Sequence, residues 1–229
     1  MSRVAPGMEE GGKLLTWDRR TSGPAFVLAV VYLVAWSVLV LNQQLSRGWF
    51  YGLLGLILLI WIAFIVDYVV RISLTAKGAR LRFVLSHPLD LLAVILPFLR
   101  PVAQLTHLSS VPLFQRRVAA GAIQRARIIL LAGAFVVVFV YSIALAVLNV
   151  ERNAPGATIV SFGDSIWWAC VTLFTVGYGD TYPVTVPGRV FAVMLMMGGF
   201  AIIGVASAVV GSYLTERIKG QVKAEETEK

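Results

Sequence analysis

The chain has 229 residues, 58% of them hydrophobic, and a formal net charge of +8. An apolar share well above the roughly one half of a soluble domain, gathered in long runs with few charges, excludes water as the solvent for most of the chain and points to lipid. A single cysteine, Cys170, excludes an intrachain disulfide and a thiolate metal cluster, and His87 and His107 lack metal-ligand spacing.

Residues 24–41 form the first apolar run. Arg19 and Arg20 precede it as they would a secretory leader, but Asn42-Gln43-Gln44-Leu45 follows where small residues would mark a cleavage site. A retained first span is therefore expected. Runs at 50–70, 128–150 and 190–213 also reach the roughly 17–25 residues that a crossing helix needs. Residues 88–99 are short, 101–118 are weakly apolar, and 164–174 are too short to span.

The basic residues test the number of crossings. Six crossings with both termini inside place sixteen Lys and Arg on the inner side and only Arg47, Arg100, Arg152 and Arg189 outside or at the outer edge. That is a strong positive-inside bias, and it requires 101–118 to cross. Trp49, Phe50 and Tyr51 then fall at an outer interface, which suits amphipathic rings. The basic excess forms no patch with interleaved aromatics, so the expected partner is the anionic inner leaflet and not nucleic acid. The chain after Tyr213 is brief and charged, too short for a ligand-binding domain, so gating by lipid, protons, tension or a separate subunit is expected.

Residues 172–183, TLFTVGYGDTYP, interrupt the apolar pattern. Before them, Ser161 and Asp164 have capping-box spacing, so 164–174 is expected to be a half-membrane helix entering from outside. Non-helical backbone at membrane depth survives only where protein or a watery cavity surrounds it. A cation pathway meets that condition: carbonyl oxygens can replace a hydration shell, and glycines reach the backbone angles that turn successive carbonyls one way.

WWxxVTxxTVGYGD, with apolar helices on both sides, resembles the voltage-gated-like, six-span potassium channels, whose filter sequence is TVGYG. The resemblance covers nearly the whole chain. It implies an all-α membrane protein: six transmembrane helices, a re-entrant pore helix and a selectivity-filter loop, in a homotetramer of the plasma membrane with both termini cytoplasmic. The implied divisions are a cytoplasmic N-terminus at 1–22, a voltage-sensor-like four-helix domain at 23–118, a linker at 119–127, a pore domain at 128–213 and a charged cytoplasmic tail at 214–229. By the same resemblance Thr175, Val176, Gly177 and Tyr178 supply oxygens to K+, and Gly179 completes the loop. Asp180, Trp167 and Trp168 support it from behind, and no cofactor besides the transported ion is implied. Phe174 departs from the family, which often has a small hydroxyl residue there. Gly199 aligns with a gating hinge, although close helix packing explains glycine in a membrane equally.

The front half resembles a voltage sensor with its working parts reduced. Asp67, Arg71 and Asp90 stand where the family pairs acids with sensor arginines, and Asp67 with Arg71 also fits a local i,i+4 ion pair. A working fourth segment needs a cation at every third residue. Arg100 is followed instead by Ala103, Thr106, Ser109 and Pro112 in one register, and by Gln104, His107, Ser110 and Leu113 in the other. Moving one charge through the field yields about 2.3 kcal/mol per 100 mV, so one outer arginine gives several-fold less work than three or four. The expectation is a passive potassium channel with weak or absent voltage dependence and no enzymatic activity. The alternatives are a voltage-gated channel that uses the few remaining charges, or a non-conducting subunit of a mixed tetramer. His107 is either a half-buried neutral residue or a proton sensor.

Overall fold

The computed structural model describes residues 6–75, 78, 80–86, 88–107 and 122–227. Every regular element among them is helical: α1 (Pro6–Leu41), α2 (Arg47–Leu74), α3 (Arg80–Ser86), α4 (Pro88–Ile95), a 3-10 turn (Pro97–Leu99), α5 (Arg100–His107), α6 (Ala122–Glu151), α7 (Phe162–Leu173) and α8 (Val186–Thr227). Among the described residues four stretches are long and apolar enough to cross a membrane: Arg20–Leu41, Arg47–Leu74, Ile129–Glu151 and Val186–Gly204. They correspond to the four full-length apolar runs.

α1 and α2 form an antiparallel hairpin. Ala25, Ala29, Tyr32 and Ala35 recur at helical spacing along α1 and bury Ile57, Ile60 and Phe64 of α2. The alanines let the two backbones approach closely, which in lipid is a principal source of helix association.

The third apolar run does not continue as one helix. Leu96 adopts φ −118° and ψ 87°, because the ring of Pro97 disfavours helical backbone in the residue before it. α4 therefore has only 8 residues, about 12 Å of rise. The turn at Pro97–Leu99 sends the chain back as α5. Trp61 secures α4 to α2 by donating its indole N–H to the Val94 carbonyl at 2.9 Å. The expected fourth span at 101–118 is described only as far as His107, and residues 108–121, including the first three residues of the 119–127 linker, lie outside the described residues; the rest of that linker is the start of α6.

α6 is the central post. Phe139, Val140 and every residue from Ile143 to Leu148 are buried in one continuous core that also takes in Val40, Ala93, Phe98, Leu99, Val102, Ala103, parts of α7 and the start of α8. The expected boundaries at 22/23 and 213/214 both fall inside helices, since α1 and α8 run straight across them. Helical hydrogen bonding continues past the apolar stretch, where hydropathy carries no signal.

Candidate ion pathway

α7 starts at a complete capping box. The Ser161 hydroxyl accepts from the Asp164 N–H at 3.2 Å, and the Asp164 carboxylate accepts from the Ser161 N–H at 2.8 Å. Hydrogen bonds from Ser161, its hydroxyl first and its backbone second, hold the Asp164 carboxyl below the usual carboxylate range.

The chain leaves the other end of α7 in an unusual way. Phe174, Thr175, Val176 and Gly177 all turn their N–H groups back onto the last turn, to the carbonyls of Cys170 (3.0 Å), Thr172 (3.0 Å) and Val171 (2.8 and 3.2 Å). In a trans peptide the preceding carbonyl points opposite to the N–H. The carbonyls of Phe174, Thr175 and Val176 therefore point away from α7. Left-handed backbone recurs at alternate residues, Thr175 (φ 58°), Gly177 (φ 56°) and Gly179 (φ 78°). Glycine accepts this conformation freely, whereas Thr175 pays about 1–2 kcal/mol for it. Thr175 to Asp180 are all exposed in the single chain.

Behind this strand the Trp167 ring stacks on Tyr178 with centroids 5.7 Å apart and planes 2° from parallel. Its indole N–H donates to Asp180 Oδ2 at 2.7 Å. Trp168 points elsewhere, being 3% exposed and part of the central core. Of the two tryptophans, then, Trp167 is the one that meets the strand. Farther on, Thr158 accepts from the Tyr182 N–H and donates to the Tyr182 carbonyl, both at 2.8 Å.

Sequence reasoning missed Glu151. It ends α6, is fully buried, and accepts from the N–H groups of Val184 (2.8 Å) and Thr185 (2.9 Å) and from the Thr185 hydroxyl (2.6 Å). It therefore joins α6 to the start of α8, whose Gly188 packs so tightly that a Cβ would strike the Glu151 carboxylate. An acid at the end of a long apolar run was the available signal.

α8 passes through Gly199 without a break. A Cβ there would lie 3.1 Å from Leu173 Cδ1, so Gly199 is where α8 comes close to the end of α7.

In the front half, Arg71 donates to Asp67 Oδ2 at 2.9 Å, four residues away, and the Trp17 indole donates to Asp67 Oδ1 at 3.0 Å. Arg100 lies inside the bundle. It is 2% exposed, its guanidinium sits 4.5 Å from the Phe64 ring centroid, and Nη2 donates to the Phe64 carbonyl at 2.8 Å. The short α4 is the reason: the chain turns back before clearing α2. Asp90, Asp67 and Arg71 all act on Arg100 electrostatically. The side chain of His107, the last residue of α5, lies outside the described residues.

Comparison with known proteins matches residues 126–216 to the family described as "Ion channel". Three relatives illustrate the likeness. A cyclic nucleotide-gated potassium channel of Mesorhizobium japonicum is 35% identical over 82 residues, covering 36% of this chain and 23% of the relative. A calcium-gated potassium channel of Thermoplasma volcanium is 36% identical over 93 residues, covering 40% and 26%. A voltage-gated potassium channel of Aeropyrum pernix is 33% identical over 102 residues, covering 44% and 34%. The match thus spans about a third or less of each relative's length, and their names share an ion while differing in stimulus. Residues 126–216 thus match an ion-channel family, and the likeness to voltage-gated-like potassium channels carried by TVGYGD is borne out.

Proposed function

We propose that the protein is a potassium-selective channel that passes K+ passively, as a homotetramer, with weak or absent voltage dependence. One observation carries the reading: alternating left-handed residues at 175, 177 and 179, with N–H groups folded back on α7 and carbonyls turned outward. Four such strands around an axis offer rings of carbonyl dipoles in place of water around a bare monovalent cation. Thr175, Val176, Gly177 and Tyr178 supply the oxygens, and Gly179 completes the loop. The C-terminal end of α7 adds a partial negative charge at the inner mouth. The filter carries no acid of its own, which favours K+ over Ca2+.

Trp167, Tyr178 and Asp180 keep the strand at a fixed width, and Trp168 anchors α7 beneath them. Gly199 is the proposed bend of α8. The proposed topology has six crossings with both termini inside, and the fourth, expected at 101–118, is described only as far as His107.

The second reading, voltage gating through remaining charges, is favoured by one observation: Arg100 is buried on Phe64 beside Asp90 and Asp67. A single charge per subunit delivers about 2.3 kcal/mol per 100 mV, too little for steep opening. Purified protein in liposomes tests both readings. Uptake of rubidium well above lithium supports the filter, and equal uptake, or none from the homomer, overturns it. Currents over a voltage series at two pH values then measure the trigger, with His107→Gln reporting on proton sensing.

A further inference from the structure

We propose that the inner end of the α1–α2 hairpin binds one anionic phospholipid, with its phosphate on Arg20 and the start of an acyl chain in the groove between the two helices. The proposal goes beyond conduction. It uses the proposed topology, which puts this end of the hairpin at the inner leaflet, and nothing of the filter.

The groove is open on one side and has a volume of about 240 Å³. Its walls are almost wholly apolar: Pro24, Ala25 and Leu28 from α1, and Ala63, Phe64 and Val66 from α2. One turn farther along the same two faces, Val31 and Leu59 stay exposed. An acyl chain leaving the groove therefore continues along apolar surface.

The rim selects the headgroup. Asp67 lies there, but both of its oxygens are taken: the Trp17 indole donates to Oδ1 and the Arg71 Nε to Oδ2. The ion pair with Arg71 leaves little net negative charge to repel an anion. Arg20 also lines the groove, is exposed, and begins the apolar stretch Arg20–Leu41. Among the described residues no hydrogen bond or ion pair engages its guanidinium. An arginine at the edge of a span lays its stem on apolar surface and carries its charge to the headgroup layer. There its planar fork matches the oxygens of a phosphate. Pro24 adds a second polar point. It stands inside α1 and has no N–H, so the Arg20 carbonyl, four residues earlier, lacks its ordinary helical donor. A headgroup hydroxyl can supply one. An apolar helix from a second copy would cover Arg20 without offering it an anion, so the charge decides for lipid. Phe64 lines the groove and also holds Arg100 through its ring and carbonyl. The bound lipid thus touches the residue on which the front unit's buried cation rests.

Titration of the purified chain in an uncharged detergent with phosphatidylglycerol tests this. A ligand held only by the folded form raises the thermal midpoint. The expected result is a saturable rise, with one lipid per chain in native mass spectrometry. Arg20→Gln should raise the half-saturating concentration about tenfold, the worth of a charge-assisted hydrogen bond. Ala63→Trp fills the groove from an exposed position and should abolish the rise. Lys219→Gln, which removes one positive charge from the distal part of α8, should change nothing. An equal rise with phosphatidylcholine overturns the anionic headgroup, and an equal rise with soluble glycerol phosphate overturns the lipid. An equal loss in Lys219→Gln means bulk attraction and overturns the site. No rise in the parent, or a parental response in Ala63→Trp, means that the groove is empty or covered by another copy, and overturns it as well. Rubidium uptake is not read here, so this proposal and the channel reading fail separately.

Discussion

Each half of the molecule buries an ionisable side chain, and the two are held in opposite ways. Glu151 in the pore half is fully enclosed and accepts three hydrogen bonds from Val184 and Thr185. Arg100 in the front half is almost as deeply enclosed; among the described residues it donates to the Phe64 carbonyl and lies on the Phe64 ring, and its Nε has no partner. A buried charge with its partners satisfied fixes a joint in place. A buried cation met by a π face and nearby acids lies in a unit where, among the described residues, the Tyr68 and Gln104 side-chain oxygens have no partner. The contrast predicts a stiffer joint at Glu151 than at Arg100.

The largest expected effect breaks the rigid side. Gly177→Ala puts a side chain on left-handed backbone in every subunit, and rubidium uptake into liposomes should fall about tenfold or more. Unchanged uptake would mean that the strand does not need its geometry. Glu151→Ala leaves three buried donors without an acceptor and should lower stability by about 3 kcal/mol or more, read as a drop in the thermal midpoint in detergent. A drop no larger than that of Arg100→Gln would erase the contrast between the halves.

On the loose side, the effective gating charge should be below about one per subunit, and Arg100→Gln should bring it close to zero. Three or more per subunit would make the front half a working sensor. The smallest effect is local. Ser161→Ala should cost about 1 kcal/mol through the lost cap. Because the Asp164 pKa is lowered in the folded chain, its contribution is present above its unfolded value and is lost as pH falls through the folded one. The gap between variant and parent should therefore narrow below about pH 4.

The sequence carried the pore half well because its signals are local. The apolar runs, the Ser161–Asp164 spacing and the alternating glycines each act within a few residues, and α6, α7 and the strand follow them. Glu151 was not legible, since its partners stand 33 and 34 residues away and only the return of the chain brings them together. The enclosure of Arg100 against Phe64 was not legible although its cause is in the sequence: Pro97 ends the third run early, and counting hydrophobic residues does not register a turn. The length of α1 was understated because a polar continuation of a helix looks like a tail.

The uninterrupted course of α8 has a mechanical corollary. Its 42 residues form a rod of about 63 Å, twice the hydrocarbon thickness of a bilayer. A torque applied to the far end is transmitted along the rod to Gly199, where α8 rests against the tip of α7. A grip on the far half of α8 is thereby expected to act as a lever on the segment that follows α7.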